Sequence, residues 1–144
     1  MNESRRPASG FTLVELMVTL AVLAILVGIA VPSFDGFVKP NRVNGAANEA
    51  VALIQLARLE AMRRNRQASA IFSGSEGTLK VGNETLRTTN ANAKVEFSSA
   101  TVTFRPTGLA VSATSGLTVT LGSEVRSICL KDGSRVYVGR AECN

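Results

Sequence analysis

Residues 10–31 read GFTLVELMVTLAVLAILVGIAV, an uncharged and mostly apolar run broken by one carboxylate, Glu15. A helix that is apolar all round must be covered all round, by a large protein core or by lipid. From Phe11 to Val31 the run has 21 residues, about 30 Å of helix at about 1.5 Å per residue, the depth of a bilayer core. It begins behind a short basic leader, MNESRRPASG, that carries Arg5 and Arg6. A carboxylate in hydrocarbon is costly and needs a proton or a cationic partner. The segment therefore implies a task beyond anchoring.

What remains of the 144 residues suffices for one modest domain. Trp is absent and aromatics make up 5% of the chain, so the core must rest on Val, Leu, Ile, Ala and a few Phe. There is no His, which removes the commonest general base and metal ligand. No nucleophile elbow, phosphate loop or dinucleotide glycine pattern occurs. The expectation is a non-enzyme with no catalytic residue, no metal and no cofactor. A net charge of +5 favours anionic partners moderately and says nothing of fold.

Three readings fit the N-terminus. A secretory signal would take the run as its apolar region and Gly28-Ile29-Ala30 as a small-x-small cut site, but the run is long for that and carries Glu15. A plain anchor would keep the basic leader on the cytoplasmic side. The third reading rests on GFTLVEL, which resembles the prepilin signature of type IV pilins and type II secretion pseudopilins at Gly10, Phe11, Thr12, Leu13 and Glu15. The resemblance implies cleavage between Gly10 and Phe11 by the prepilin peptidase and methylation of the new Phe11 amine. It also implies that the apolar segment is retained as both anchor and assembly helix. Glu15, fifth in the mature chain, would then neutralise the terminal amine of a neighbouring subunit. Without that partner it would lie about 6 Å along the axis from Phe11, near headgroups.

Pro32 follows the run, with Gly36 and Pro40 close behind. Proline removes a helical hydrogen bond, so a kink or local melting is expected before the helix resumes. From about Asn41 to Arg66 the pattern is helical: Val43, Ala47, Ala50, Ile54, Ala57 and Ala61 form one stripe, widened by Leu53 and Leu56. The ending Arg63-Arg64-Asn65-Arg66 places positive charge where the helix dipole favours it; phosphate binding is the sharper alternative.

Beyond the helix the chain is β-like. Strands are expected at Ala68–Ser73, Thr78–Val81, Lys94–Ser98, Thr101–Arg105, Leu117–Leu121, Val125–Leu130 and Ser134–Val138, about five to seven in all. Gly82-Asn83 reads as a turn, 87–93 (RTTNANA) as a polar loop, Pro106-Thr107-Gly108 as a break, and Lys131-Asp132-Gly133 as a hairpin turn. The expected fold is α+β and pilin-like, a long N-terminal helix with a membrane-spanning first half, packed on a C-terminal antiparallel sheet. The expected organisation is a leader at 1–10, a transmembrane assembly helix at 11–31, an amphipathic continuation at 32–66 and a periplasmic β-domain at 67–144.

The stretch VTFRPTG at 102–108, followed by a terminal hairpin ending in VGR, resembles the FimT/FimU–GspH group of minor pilins and pseudopilins. That resemblance implies a single-pass inner-membrane protein that enters a type IV pilus or a secretion pseudopilus, at the tip or as a primer. Its partners would be other pilins or pseudopilins, the peptidase and the inner-membrane assembly platform. In FimT proteins active in natural transformation, DNA is held by basic residues near the C-terminus, including a Gly-Arg-x-Arg motif. Here Gly139-Arg140-Ala141-Glu142 keeps the first Arg and replaces the second with an acid, which repels phosphate. Arg126, Lys131, Arg135 and Arg140 still gather on the expected last hairpin, with Arg126 and Arg135 placed near each other on paired strands. Two readings stand: a phosphate-binding patch, or solvated charges that keep a sheet edge from pairing with strangers.

Cys129 and Cys143 complete the set of candidate residues. If the domain lies outside the cytoplasm they are expected to form a disulfide, whose short loop contributes about 3 kcal/mol by chain entropy.

Overall fold

The computed structural model describes residues 11–91, 94–113, 116–131, 135–140 and 143, the side chains of 31–35 and 112–113 excepted. The leader, the hairpin residues Asp132 and Gly133, and Glu142 lie outside the described residues. The chain divides into two compact units after Phe37.

Helix α1 runs Leu13–Arg64. Its start is fixed by Thr12, whose Oγ1 accepts the Glu15 backbone N–H at 3.2 Å while its carbonyl accepts from Leu16 N at 3.2 Å, the bonding of an N-cap. The helical assignment passes Pro32, Gly36 and Pro40 without a break, so the local melting expected there is absent; a proline withdraws one donor, and the flanking turns keep theirs. The helix ends two residues earlier than expected. Asn65 takes φ 50°, a left-handed conformation that asparagine tolerates, and Arg66 N–H donates back to Ala61 O at 3.2 Å, closing the last turn in the manner of a Schellman motif.

In the first unit the side chains of 11–30 are all exposed. The stretch Leu13–Ala30 has mean hydropathy 2.6 and is long and apolar enough to cross a membrane. In the second unit the helix buries Val43, Ala46, Ala47, Ala50, Leu53, Ile54, Ala57 and Ala61, the expected stripe with Ala46 added and Leu56 only half-buried at its edge. Five of these eight are alanines, so the sheet can approach the helix closely.

Eight strands form one antiparallel sheet: β1 Ala68–Gly74, β2 Glu76–Val81, β3 Glu84–Asn90, β4 Glu96–Phe104, β5 Ala110–Ala113, β6 Leu117–Leu121, β7 Glu124–Lys131 and β8 Arg135–Gly139. The spatial order is β3-β2-β1-β4-β6-β7-β8, with β5 also beside β4. This corrects the expected five to seven strands at three places. Residues 87–90 of the expected loop belong to β3, an edge strand whose polar side chains are mostly exposed; backbone pairing with β2 holds it, so apolar alternation never marked it. The two strands expected across 94–105 are one, β4. The pairings Phe72↔Ala100 and Gly74↔Phe97 place an extra residue in it, a bulge that shifts the inward face from Phe97 to Ala100, Val102 and Phe104. β5 was not expected at all; it has four residues.

The sheet forks at β4. Its last residues pair with β5 (Val102↔Ala113, Phe104↔Ala110), its first with β6 (Glu96↔Thr120, Phe97↔Val119). At the fork the Ser98 hydroxyl accepts the Thr118 backbone N–H at 3.0 Å, replacing a ladder bond. Inward-facing Phe72, Leu79, Val81, Val95, Val119 and Ile128 close over the helix stripe. Gly77 lies so near the helix that a Cβ there would meet Leu53 Cδ2 and Thr89 Oγ1 at 3.0 Å.

On β7, consecutive Ile128 and Cys129 are both buried. Ile128 joins the core and Cys129 faces the other side of the sheet, where it bonds to Cys143 with Cα atoms 5.4 Å apart. Gly116 leaves room for this bridge: a Cβ there would stand 3.3 Å from Cys143 Sγ.

Candidate assembly helix and basic hairpin

Two places in the chain carry the candidate residues. The first is the start of α1. Gly10 lies outside the described residues. Phe11 is 84% exposed, and Glu15 is exposed on the first turn of a helix whose other residues to Ala30 carry no charge. Thr12 sits at the N-cap and Glu15 at N3, and the Thr12 hydroxyl caps the Glu15 N–H. Sequence reading missed this second task of the motif, although the spacing alone could have shown it. An acid in the first turn also complements the positive end of the helix dipole.

The second place is the hairpin β7–β8. Its register pairs Lys131 with Arg135 and Ser127 with Gly139. Arg126, one residue before Ser127, is thus at the far end of the hairpin from Arg135, and the expected proximity of the two is corrected. Alternation marked the two strands, but their alignment is set only by the pairing itself. Arg126 is also occupied: its side chain is 13% exposed, and its Nε–H donates to Asn44 Oδ1 on α1 at 2.9 Å. Its Nη1 donates to Val125 O at 2.8 Å and lies 3.8 Å from Glu124 Oε2. Arg126 fastens β7 to the helix. Lys131 and Arg135 face each other as like charges at the hairpin tip, with the Lys131 ammonium 6.0 Å from the Tyr137 ring centre. Directly opposed like charges destabilise a strand pair, so the tip is a place where an anion would be welcome. Arg140 is exposed just past β8.

The basic end of α1 is engaged as well. Glu60 accepts from Arg63 (Nε 3.1 Å, Nη2 2.7 Å) and from Arg64 Nε at 2.8 Å, and Arg64 Nη1 reaches Glu84 on β3 at 3.0 Å. The Arg63 and Arg64 hydrogen bonds hold the Glu60 carboxyl below its ordinary range, and Glu60 raises Arg63 in turn. Those two cations tie the helix end to itself and to the sheet rather than standing ready for phosphate.

Sequence reading also overlooked Arg58. It lines a cleft of about 280 Å³ with Gln55 and Arg135, floored by Ile54 and Phe104 and edged by Val136. Nothing in helical periodicity marks an arginine that meets a strand 77 positions away as part of a shared site.

A long helix that is bare and apolar in its first part and seated on an antiparallel sheet in its second, with one acid in its first turn, defines a type IV pilin-like subunit. Residues 5–31 match the prokaryotic N-terminal methylation motif, and residues 46–135 match the model of the type II transport protein GspH. The chain belongs to this GspH family of type IV minor pilins and pseudopilins, whose role is structural. The fold is similar to that of the minor pilin FimU of Pseudomonas aeruginosa, with TM-score 0.58 at 19% identity, over 72% of this chain and 96% of that one. In sequence it is 36% identical to a fimbrial protein of Pseudomonas aeruginosa over 67 residues, 46% of this chain and 37% of that protein. It is 29% identical to the type IV major fimbrial protein FimA of Dichelobacter nodosus over 75 residues, 52% of this chain and 44% of that protein. The chain thus spans less than half the length of these curated relatives. The apolar helix and the methylation motif fit a pilin anchored in the inner membrane.

Proposed function

We propose that this chain is cut between Gly10 and Phe11, methylated on Phe11, and held in the inner membrane by residues 11–31 with its β-domain in the periplasm. The assembly platform then moves it into a type IV pilus or a related pseudopilus, at the tip or as a primer. There the bare helix packs among the helices of neighbouring subunits, and Glu15 meets the liberated amine of the next one. The observation that carries this reading is a helix with 0% of its Leu13–Ala30 stretch buried by its own chain and a single carboxylate at its start. An acid among packed apolar helices is tolerable only with a cation beside it. Mass spectrometry of the mature chain tests it: the expected product begins at N-methylated Phe11, and any other start overturns the reading.

A second reading is a DNA receptor on such a filament, favoured by the adjacent Lys131 and Arg135 and by exposed Arg140. It predicts a salt-sensitive shift of duplex DNA by the purified chain, weakened by Arg135→Glu or Arg140→Glu. Arg126→Glu is expected to unsettle the fold instead. A role in protein secretion, which the GspH relationship supports, is separated from both by the neighbouring genes, since pilus and secretion operons differ.

A further inference from the structure

β8 stands at one end of the strand order, paired with β7 on one side and with no described strand on the other. The outward N–H and C=O groups of such a strand are open to another chain. The opposite end of the sheet is blunted in two ways. β3 pairs Arg87 with Leu79 and Thr85 with Lys80, which leaves Leu86 out of the ladder, and its side chains are mostly polar, Glu84 and Arg87 among them. Bulges and charges of this kind discourage pairing. β8 has neither device along its middle. Its five pairs with β7 run without a shift, and Val136-Tyr137-Val138 is an uncharged run of strong strand formers. Cys143 does not cover the edge either: it is bonded to Cys129 on β7 and stands beside Gly116, the residue before β6, so it is held on the β6 side of β7.

The two faces of β8 select the partner. Directly opposed residues of an antiparallel pair share a face. Val136 and Val138, opposite Leu130 and Ile128, therefore lie on the core side of the sheet, where Val138 is still 40% exposed. Arg135 and Tyr137, opposite Lys131 and Cys129, lie on the other side. There Lys131 and Arg135 oppose each other as like charges, and no described carboxylate pairs with either. A recess of about 450 Å³ is lined by Lys131, Arg135, Val136 and Tyr137. Successive strand residues point to opposite faces, so a recess lined by three in a row passes round the edge of the strand. A chain that fills it meets valines on the core side and two cations on the other. A nucleic-acid backbone would answer the cations but leave the valines and the strand edge unmet.

We propose that the free edge of β8 receives an extended segment of another polypeptide as an added strand, with apolar side chains beside Val136 and Val138 and a carboxylate beside Arg135 and Lys131. Backbone bonds along the edge supply affinity, and the alternation of apolar and acidic residues supplies specificity. The proposal concerns the β-domain alone. The N-terminal processing that tests the proposed function is independent of it, so either can fail without the other.

The full chain, ¹⁵N-labelled in detergent micelles, is titrated with a short blocked peptide that alternates valine and glutamate. One control peptide carries N-methylated backbone amides, which cannot donate along an edge; a second carries glutamine for glutamate. The expected result is saturable binding of the first peptide with slowed hydrogen exchange at amides of β8. The N-methylated peptide should bind at least ~10-fold more weakly, the loss of a few net hydrogen bonds. The glutamine peptide should bind roughly 2- to 5-fold more weakly, as for an exposed ion pair, and that difference should shrink in Arg135→Gln. Val138→Lys, which sets a charge on the core side of the edge, should weaken binding ~10-fold; the N-methylated peptide carries the test if this variant loses its melting transition. Equal binding of the glutamate peptide and either control, no saturable binding, or a response confined to residues outside β8 overturns the proposal. So does a duplex oligonucleotide that slows exchange in β8 where the peptide does not.

Discussion

The two units of this chain are stabilised by opposite means. The unit after Phe37 carries its own core, in which eight helical residues from Val43 to Ala61 are covered by Phe72, Phe104, Leu79 and their neighbours. The stretch Leu13–Ala30 has mean hydropathy 2.6, and none of it is buried. Apolar surface of that extent is stable in water only when covered, so its environment must come from lipid or from other chains. A single helix thus passes from a part whose partners are external to a part whose partners lie further along the same chain. Each part should be open to damage without harm to the other.

The largest expected effect breaks the external side alone. Glu15→Leu removes the acid and is expected to lower incorporation into filaments by a factor of about 100 or more, the consequence of leaving a partner's buried charge unpaired. The denaturant midpoint of the β-domain should stay unchanged; a fall in that midpoint would mean that the two regions are not energetically separate. Phe72→Ala is the converse. Phe72 is 1% exposed and packs against Phe97 with ring centres 5.4 Å apart, so about 3–5 kcal/mol should be lost in urea unfolding, with membrane insertion intact.

Replacing Cys129 and Cys143 together by Ser should cost about 3 kcal/mol of the same transition. Reductant should have the same effect on the native chain and none on the variant. Arg126→Ala removes the tie to Asn44 and should cost about 1–3 kcal/mol, measured in the same unfolding series. The smallest effect concerns Glu60. Its carboxyl is held below its ordinary range by Arg63 and Arg64, so the stability it adds is present above the unfolded value and is lost as pH falls through the lowered one. Glu60→Gln should therefore melt slightly below the native chain near neutral pH and level with it in acid. A difference that persists in acid would assign the contribution to packing.

The two regions also differ in how openly the sequence announces them. The membrane-type helix and its acid are local facts: a run of residues and one charge, readable without any fold. The Val43–Ala61 stripe was readable because helical spacing repeats. Strands β1, β2, β6, β7 and β8 were readable from alternation and turn residues, whereas β3 was hidden because an edge strand held by backbone bonds needs no apolar face. The bulge in β4 was hidden because it changes the alternation phase within a single strand.

Of the candidate residues, the bonded pair Cys129 and Cys143 was legible once export was assumed. The basic residues were legible as a list and not as an arrangement. The chain by itself determined the class of protein, through the GFTLVEL run, the bare helix and the sheet that follows it, because these depend on side-chain order along short stretches. Only the folded structure decided that Arg126 is locked to Asn44, that Lys131 opposes Arg135, and that Arg58 and Arg135 line one cleft. Those outcomes follow from strand register and from the fork at β4, which arise when distant segments settle against one helix, and no local pattern of residues encodes them.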